Sequence, residues 1–312
     1  MTENIKESLT TFLPKPGEDF VETPYIREIT SRALDYVKVG LPIHFKGPAG
    51  VGKTTLAMHV AAKIGRPAMI IYGDYDLAAS DFVGGLQGYI RKKVLDNYIR
   101  TVVRAEESTS LYWTHGVLLE ACKNGYTLIY DEFTRSRPET NNVFLPVLEE
   151  RLLPLPLVSG YGGYLKVHPD FAAIFTSNPR DYAGIQKTAD ALLDRMATIE
   201  LGNFDEETES AICMAKADLL PEDAKRVVNM VRKVREVKAN KYLPSIRSSI
   251  LVGKLMRLKG VHAVSSDPEF ERICMYALIP EIPEQERPVV VQTIKETIRA
   301  YGDWRQYDDE KE

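Results

Sequence analysis

The residues with the clearest chemistry run Gly47-Pro48-Ala49-Gly50-Val51-Gly52-Lys53-Thr54, with Thr55 behind them. This run fits the pattern GxxxxGK[ST] at every position. Its glycines let the backbone curl so that N–H groups face inward onto phosphate oxygens, and a helix opening at Lys53 would aim its partly positive N-terminus at the same point. Lys53 offers a cation to the β- and γ-phosphates, and the Thr54 hydroxyl offers an oxygen ligand to Mg²⁺. The chemistry implied is binding of a nucleoside triphosphate, ATP with Mg²⁺. A second constellation, Thr127-Leu128-Ile129-Tyr130-Asp131-Glu132, is an apolar run ending in two adjacent carboxylates. Asp131 suits the Mg²⁺ shell, and Glu132 suits a base that orients and deprotonates attacking water. A third, Ala173-Ile174-Phe175-Thr176-Ser177-Asn178, ends in an amide. Asn178 could hydrogen-bond that water or the γ-phosphate, or cap a turn before Pro179.

These groups need elements to hold them. Helical spacing covers 24–40, through Ile26, Ile29, Ala33 and Val37, and 53–64, through Leu56, Val60 and Ile64. Short, continuously apolar runs at 41–45, 68–72, 127–130, 172–176 and 197–201 read as strands buried on both faces of a parallel sheet. Their alternation with helices gives an α/β fold, a P-loop αβα sandwich. Ligands bind such sheets at the C-terminal strand ends, where the glycine turn and both polar strand ends fall. From 206 onward the pattern is helical: 207–217, 222–239, 245–259, 269–278 and 289–301. Val227, Val228, Val231, Val234 and Val237 line one side of the second of these. The expected division is a flexible N-terminal arm at 1–20, an α/β core at 21–205 and a helical lid at 206–312. Asp308–Glu312 reads as a frayed charged end.

Bulk properties exclude several classes. The chain has 312 residues, net charge -4 and 27% charged residues, a poor match to general nucleic-acid binding. Its 3 cysteines show no CxxC spacing, so a disulfide framework is not expected and a cytoplasmic location fits. The N-terminus lacks the cationic start and apolar run of a secretory signal, and no run is long enough to span a membrane.

The order of parts resembles the MoxR branch of AAA+ ATPases over essentially the whole chain from Val21. That resemblance, and not the residue types, implies roles for two arginines that otherwise read as surface charges. Arg195, ending Asp190-Ala191-Leu192-Leu193-Asp194-Arg195, would be an arginine finger reaching a neighbour's ATP. Arg247, in Pro244-Ser245-Ile246-Arg247, would be a sensor 2 that reports γ-phosphate to the lid, and Asn178 would be sensor 1. A finger supplied in trans implies self-association into a ring, a hexamer by family analogy. The family also implies an insertion, at Gly84 to Trp113, and a hairpin at Arg151 to Val167 with Ser159-Gly160-Tyr161-Gly162-Gly163-Tyr164 at its tip. Within the branch, the stretches from Tyr130 to Asn142 and from Val158 to Pro169 are similar to the gas vesicle N-type ATPases. That likeness implies a cytoplasmic ATPase needed to build or enlarge gas vesicles, with shell or accessory proteins as partners and neither nucleic acid nor membrane.

Other readings stay open at this stage. Sister groups remodel a metalloenzyme or Rubisco with the same chemistry, and a nucleotide-gated scaffold would bind ATP with little turnover. Glu132, Asn178 and Arg195 argue against the scaffold. A nucleic-acid motor is disfavoured by the acidic balance and by the lack of a GAFTGA loop. Tyr161 and Tyr164 read equally as an aromatic tip or as packing residues. Arg91, Lys92, Lys93 and Arg100, beside Tyr89 and Tyr98, read as a solvated helix face in preference to a contact for an acidic partner or nucleic acid. Arg135 and Arg137 fit either a subunit contact or a solvated loop.

Overall fold

The computed structural model describes residues 11–15, 17, 20–96, 104–157, 160–179, 188–237, 244–280 and 282–301. In chain order its elements are α1 (Pro24–Lys38), β1 (Ile43–Lys46), α2 (Lys53–Ile64), β2 (Ala68–Tyr72), α3 (Ala79–Val83), β3 (Gly84–Asp96) and β4 (Arg104–His115). Next come α4 (Val117–Asn124), β5 (Thr127–Asp131), a 3₁₀ turn (Phe133–Arg135), α5 (Pro138–Asn141), α6 (Phe144–Glu149), β6 (Leu152–Pro154) and β7 (Tyr164–Lys166). The chain continues through β8 (Ala172–Ser177), α7 (Thr188–Leu193), β9 (Ala197–Glu200), α8 (Glu206–Ala217), α9 (Pro221–Glu236), α10 (Ile246–Lys259), α11 (Pro268–Leu278) and α12 (Arg287–Arg299).

Five strands form one sheet in the order β2-β5-β8-β1-β9. β2 pairs parallel with β5, β5 with β8 and β8 with β1. Every residue of β5 and β8 is buried, which is why these runs read as continuous apolar stretches and not as alternation. Beside the sheet lies a knot of aromatic rings. Tyr130 stacks on Phe144 at 5.4 Å between centroids, and Phe82 meets Phe144 edge-on at 5.1 Å. Phe133 and Phe175 close the group at 5.5 Å. Each such pair adds about 0.5–1.5 kcal/mol to the burial of the rings.

The described residues divide into two compact units. Of these, one draws on residues within 11–15, Ala33–Lys46 and Thr54–Ile199, the other on residues within 17–32, Gly47–Lys53 and 200–301. The second has its own core, where Val227, Val231 and Val234 of α9 meet Val252 and Met256 of α10, Phe270 of α11 and Ile294 of α12. The starts of α8, α10 and α11 carry side-chain caps. Asp205 accepts from the Thr208 amide, Ser245 from that of Arg247 and Asp267 from that of Glu269. Gly260 ends α10 in the left-handed region at φ 64°.

Both expected insertions are present as hairpins. β3 and β4 pair antiparallel, with Ile90 opposite Ser110 and Lys93 opposite Glu107. Arg91, Lys92 and Lys93 therefore lie on a strand and not on a helix face. An antiparallel partner satisfies their backbone groups, and that pairing overrides the helix propensity of Arg and Lys. Tyr98, Arg100, Ser159 and Asp308–Glu312 lie outside the described residues. β6 and β7 form the second hairpin. Tyr161, between its two strands, packs against the core and its hydroxyl accepts from Lys123 Nζ at 3.0 Å, so this tyrosine is a packing residue, while Tyr164 is exposed. Within the N-terminal arm, Phe12 exchanges backbone hydrogen bonds of 3.0 and 2.8 Å with Ala68, at the start of β2. Among the described residues no helix is long and apolar enough to cross a membrane.

Two outcomes follow. Phe144→Ala empties the centre of the aromatic knot and should cost about 3–5 kcal/mol in urea unfolding. Cys122, Cys213 and Cys274 are buried free thiols, and burial pushes all three up, Cys213 to about 12. In the native protein they should resist a thiol reagent at pH 8 and react on unfolding. Unfolded thiols ionise near 9.0, so the stability these neutral thiols contribute is complete below that pH and is lost as pH rises toward 12.

Candidate nucleotide site

The glycine turn is built by backbone conformations that its residues permit. Gly50 and Gly52 sit at φ 84° and 77°, where an L side chain is strained. Gly47 has no room for a side chain, since a Cβ there would lie 2.4 Å from the Leu201 carbonyl. Lys53 is buried and its Nζ donates to the carbonyls of Gly47 and Pro48, both at 2.9 Å. The ammonium therefore points into the loop's own curl. Thr55 follows on α2.

Asp131 ends β5 at the junction of three elements. Thr54, in the first turn of α2, donates its hydroxyl to the Asp131 carboxylate, 2.9 Å from each oxygen. Thr176, near the end of β8, donates to Asp131 Oδ1 at 2.6 Å. The same Thr176 oxygen accepts from the Glu132 amide at 2.9 Å. A buried carboxylate beside a threonine hydroxyl is a hard-oxygen donor set, which suits Mg²⁺.

Glu132 is held in a strained backbone. Its φ of 52° and ψ of 40° place a non-glycine residue in the left-handed region, at a cost of about 1–3 kcal/mol. The surroundings impose it. Besides Thr176, the Gly73 amide donates to the Asp131 carbonyl at 2.7 Å, and a Cβ on Gly73 would lie 2.1 Å from the Glu132 carbonyl. Below, the Tyr130 hydroxyl reaches Ser136 Oγ at 2.6 Å and Asn141 Oδ1 at 2.8 Å, and Asn141 Nδ2 donates to the Phe133 carbonyl at 3.1 Å. This buried network fixes the 3₁₀ turn that follows Glu132, and burial pushes the Tyr130 phenol up. The Glu132 carboxylate pairs with Arg135 Nε at 2.8 Å. Arg137 donates to the Tyr75 carbonyl at 2.8 Å and lies over the Tyr75 ring. Both arginines are exposed.

The structure thus brings Thr54, Asp131 and Glu132 together. Asn178 directly follows β8 and so stands two residues beyond Thr176. Arg195 follows α7, donates from Nε to Glu149 Oε2 at 2.8 Å and from NH1 to the Ala191 carbonyl at 2.6 Å. Arg247, in the first turn of α10, lies beside the glycine turn, with Cδ 3.8 Å from where a Cβ on Gly50 would sit. Sequence reasoning missed Thr176, Gly73 and Ser245. A threonine inside an apolar strand one register from the paired acids was the available signal for the first. The other two become visible only when distant segments meet.

The AAA domain (dynein-related subfamily) family matches residues 42–196. Gas vesicle ATPase GvpN of Ancylobacter aquaticus is 45% identical over 278 residues, covering 89% of this chain and 78% of that protein. This chain belongs to the GvpN family of AAA+ ATPases. Like the relatives that carry the name, it is an ATPase and binds nucleotide. Protein CbbQ of Hydrogenophilus thermoluteolus is 26% identical over 212 residues, 68% of this chain and 72% of that protein, in keeping with the MoxR reading. The fold matches the RuvB Holliday junction branch migration motor of Thermotoga maritima at a TM-score of 0.51, with 16% identity over 92% of this chain and 80% of that one. That likeness concerns the fold alone. AAA+ ATPases commonly form rings.

Thr176→Val keeps the shape of β8 but removes the hydroxyl shared by Asp131 and the Glu132 amide. It should lower ATP turnover by about 10- to 100-fold, while circular dichroism and nucleotide binding stay near wild type.

Proposed function

We propose that this GvpN-family ATPase hydrolyses ATP·Mg²⁺ to drive the assembly or enlargement of gas vesicles, acting as a ring on shell or accessory proteins in the cytoplasm. The observation that carries the hydrolytic part is the hydroxyl–carboxylate chain from Thr54 through Asp131 and Thr176 to the Glu132 amide. It sets the metal ligands and the base at fixed spacing before any substrate arrives, the preorganisation that phosphoryl transfer rewards. The gas vesicle part is supported by the 45% identity to the GvpN of Ancylobacter aquaticus.

In this reading residues 21–205 form the ATPase core and 206–312 the lid, with 1–20 as an arm. Amides of residues 47–55 and Lys53 cradle the phosphates, and Thr54 and Asp131 would hold Mg²⁺, which would neutralise charge on the β- and γ-oxygens. Glu132 takes the proton of the attacking water once its carboxylate leaves Arg135, and Asn178 orients that water. Arg195 leaves Glu149 to reach the site of an adjacent subunit, and a hexamer gives every site such a neighbour. Arg247 reads the γ-phosphate for the lid.

The test is ATP hydrolysis by purified protein over a range of concentrations, with and without gas vesicle shell protein. Specific activity should rise with concentration as rings form. Glu132→Gln should lose at least about 10²-fold and Arg195→Ala about 10³-fold, both with nucleotide binding retained. Full activity of Arg195→Ala at every concentration would remove the trans finger, and the ring argument with it. Stimulation by shell protein would identify the client, and its absence would leave an ATPase whose partner is not the shell.

A further inference from the structure

Glu209, on α8, is almost fully buried and carries two ion pairs. Arg232 NH1 lies 3.1 Å from its Oε2, and Arg235 NH1 lies 2.9 Å from its Oε1. A buried ion triad is a weak source of stability, because desolvation offsets most of the attraction and apolar residues of similar size serve as well. What sets this one apart is where the arginines send their remaining hydrogen bonds. Arg232 NH1 also donates to the Phe204 carbonyl at 3.1 Å, and Arg235 Nε donates to the Pro244 carbonyl at 2.8 Å. Both carbonyls belong to segments that touch the glycine turn. The Phe204 ring lies 3.6 Å from where a Cβ on Gly52 would sit, and Ser245 Oγ lies 2.3 Å from the corresponding point on Gly50. Ser245 Oγ also accepts from the Arg247 amide at 3.3 Å, fixing the first turn of α10.

We propose that the Glu209–Arg232–Arg235 triad is a positioning clamp that seats Phe204 and Ser245 against the glycine turn and so sets Arg247 for recognition of the γ-phosphate. The proposal rests on the reading of Arg247 given above and extends it to three residues that touch no substrate. The bidentate use of Arg235 is the decisive geometry. One edge of the guanidinium holds Glu209 while Nε holds the chain one residue before the Ser245 cap. A lysine keeps the charge for Glu209 but cannot span both acceptors.

Arg235→Lys is therefore the informative variant, with Arg232→Lys as its counterpart on the Phe204 side. Affinities for ADP and for a non-hydrolysable ATP analogue are measured on wild type, both lysine variants, Arg247→Ala and Arg235→Lys/Arg247→Ala, with thermal melts alongside. Arg235→Lys should lose about 5- to 20-fold in preference for the triphosphate, with ADP affinity within about twofold of wild type. The double variant should be no worse than Arg247→Ala, since both act through one group. A structural role alone would weaken both nucleotides together or neither. Either result, with Arg247→Ala still losing the preference, overturns the clamp. The same two results in Arg232→Lys, should Arg235→Lys fail to fold, decide the question equally. If Arg247→Ala itself keeps the full preference, the reading of Arg247 falls and the clamp falls with it.

Discussion

One buried carboxylate organises the first unit. Asp131 ends a strand whose every residue is out of solvent, and a charge placed there needs partners supplied by the surroundings. Thr54 and Thr176 provide them from α2 and β8. Much else serves that arrangement. The parallel pairing of β5 with β8 sets Thr176 beside it. Removing either hydroxyl would leave the carboxylate with one of these two donors.

The second unit solves a similar problem with charged partners. There Glu209 is neutralised by two guanidiniums instead of two hydroxyls. A hydroxyl pair leaves the carboxylate its charge and its capacity to bind a cation. A guanidinium pair consumes both. The contrast explains why one buried acid suits a metal site and the other suits a structural joint.

Much of this was legible in the chain itself. The strands at 127–130 and 172–176 read off as apolar runs, because burial on both faces leaves little choice of residue. The glycine turn read off because its backbone accepts few alternatives. The charged stretch at 91–93 did not, since β-ribbon pairing is decided by a partner about 16 residues away in sequence and not by local propensity. Tyr161 was undecidable for the same reason, its partner Lys123 lying in α4. Thr176 looked like one more β-branched strand residue, and only the register of β8 against β5 gives its hydroxyl a role. Local signals thus specified which elements form, and long-range hydrogen bonds specified which polar atoms matter.

The pairing of Arg195 with Glu149 carries a consequence for assembly. Both side chains are substantially exposed, and an ion pair in that setting is worth at most about 1 kcal/mol. The arginine is parked cheaply. In the proposed ring, the several negative charges of a polyphosphate on an adjoining protomer would draw Arg195 away from this lone glutamate, so that docking and transfer of the side chain would become a single event. Cohesion of such a ring would then depend on the nucleotide each neighbour holds and on ionic strength, through one weakly held side chain.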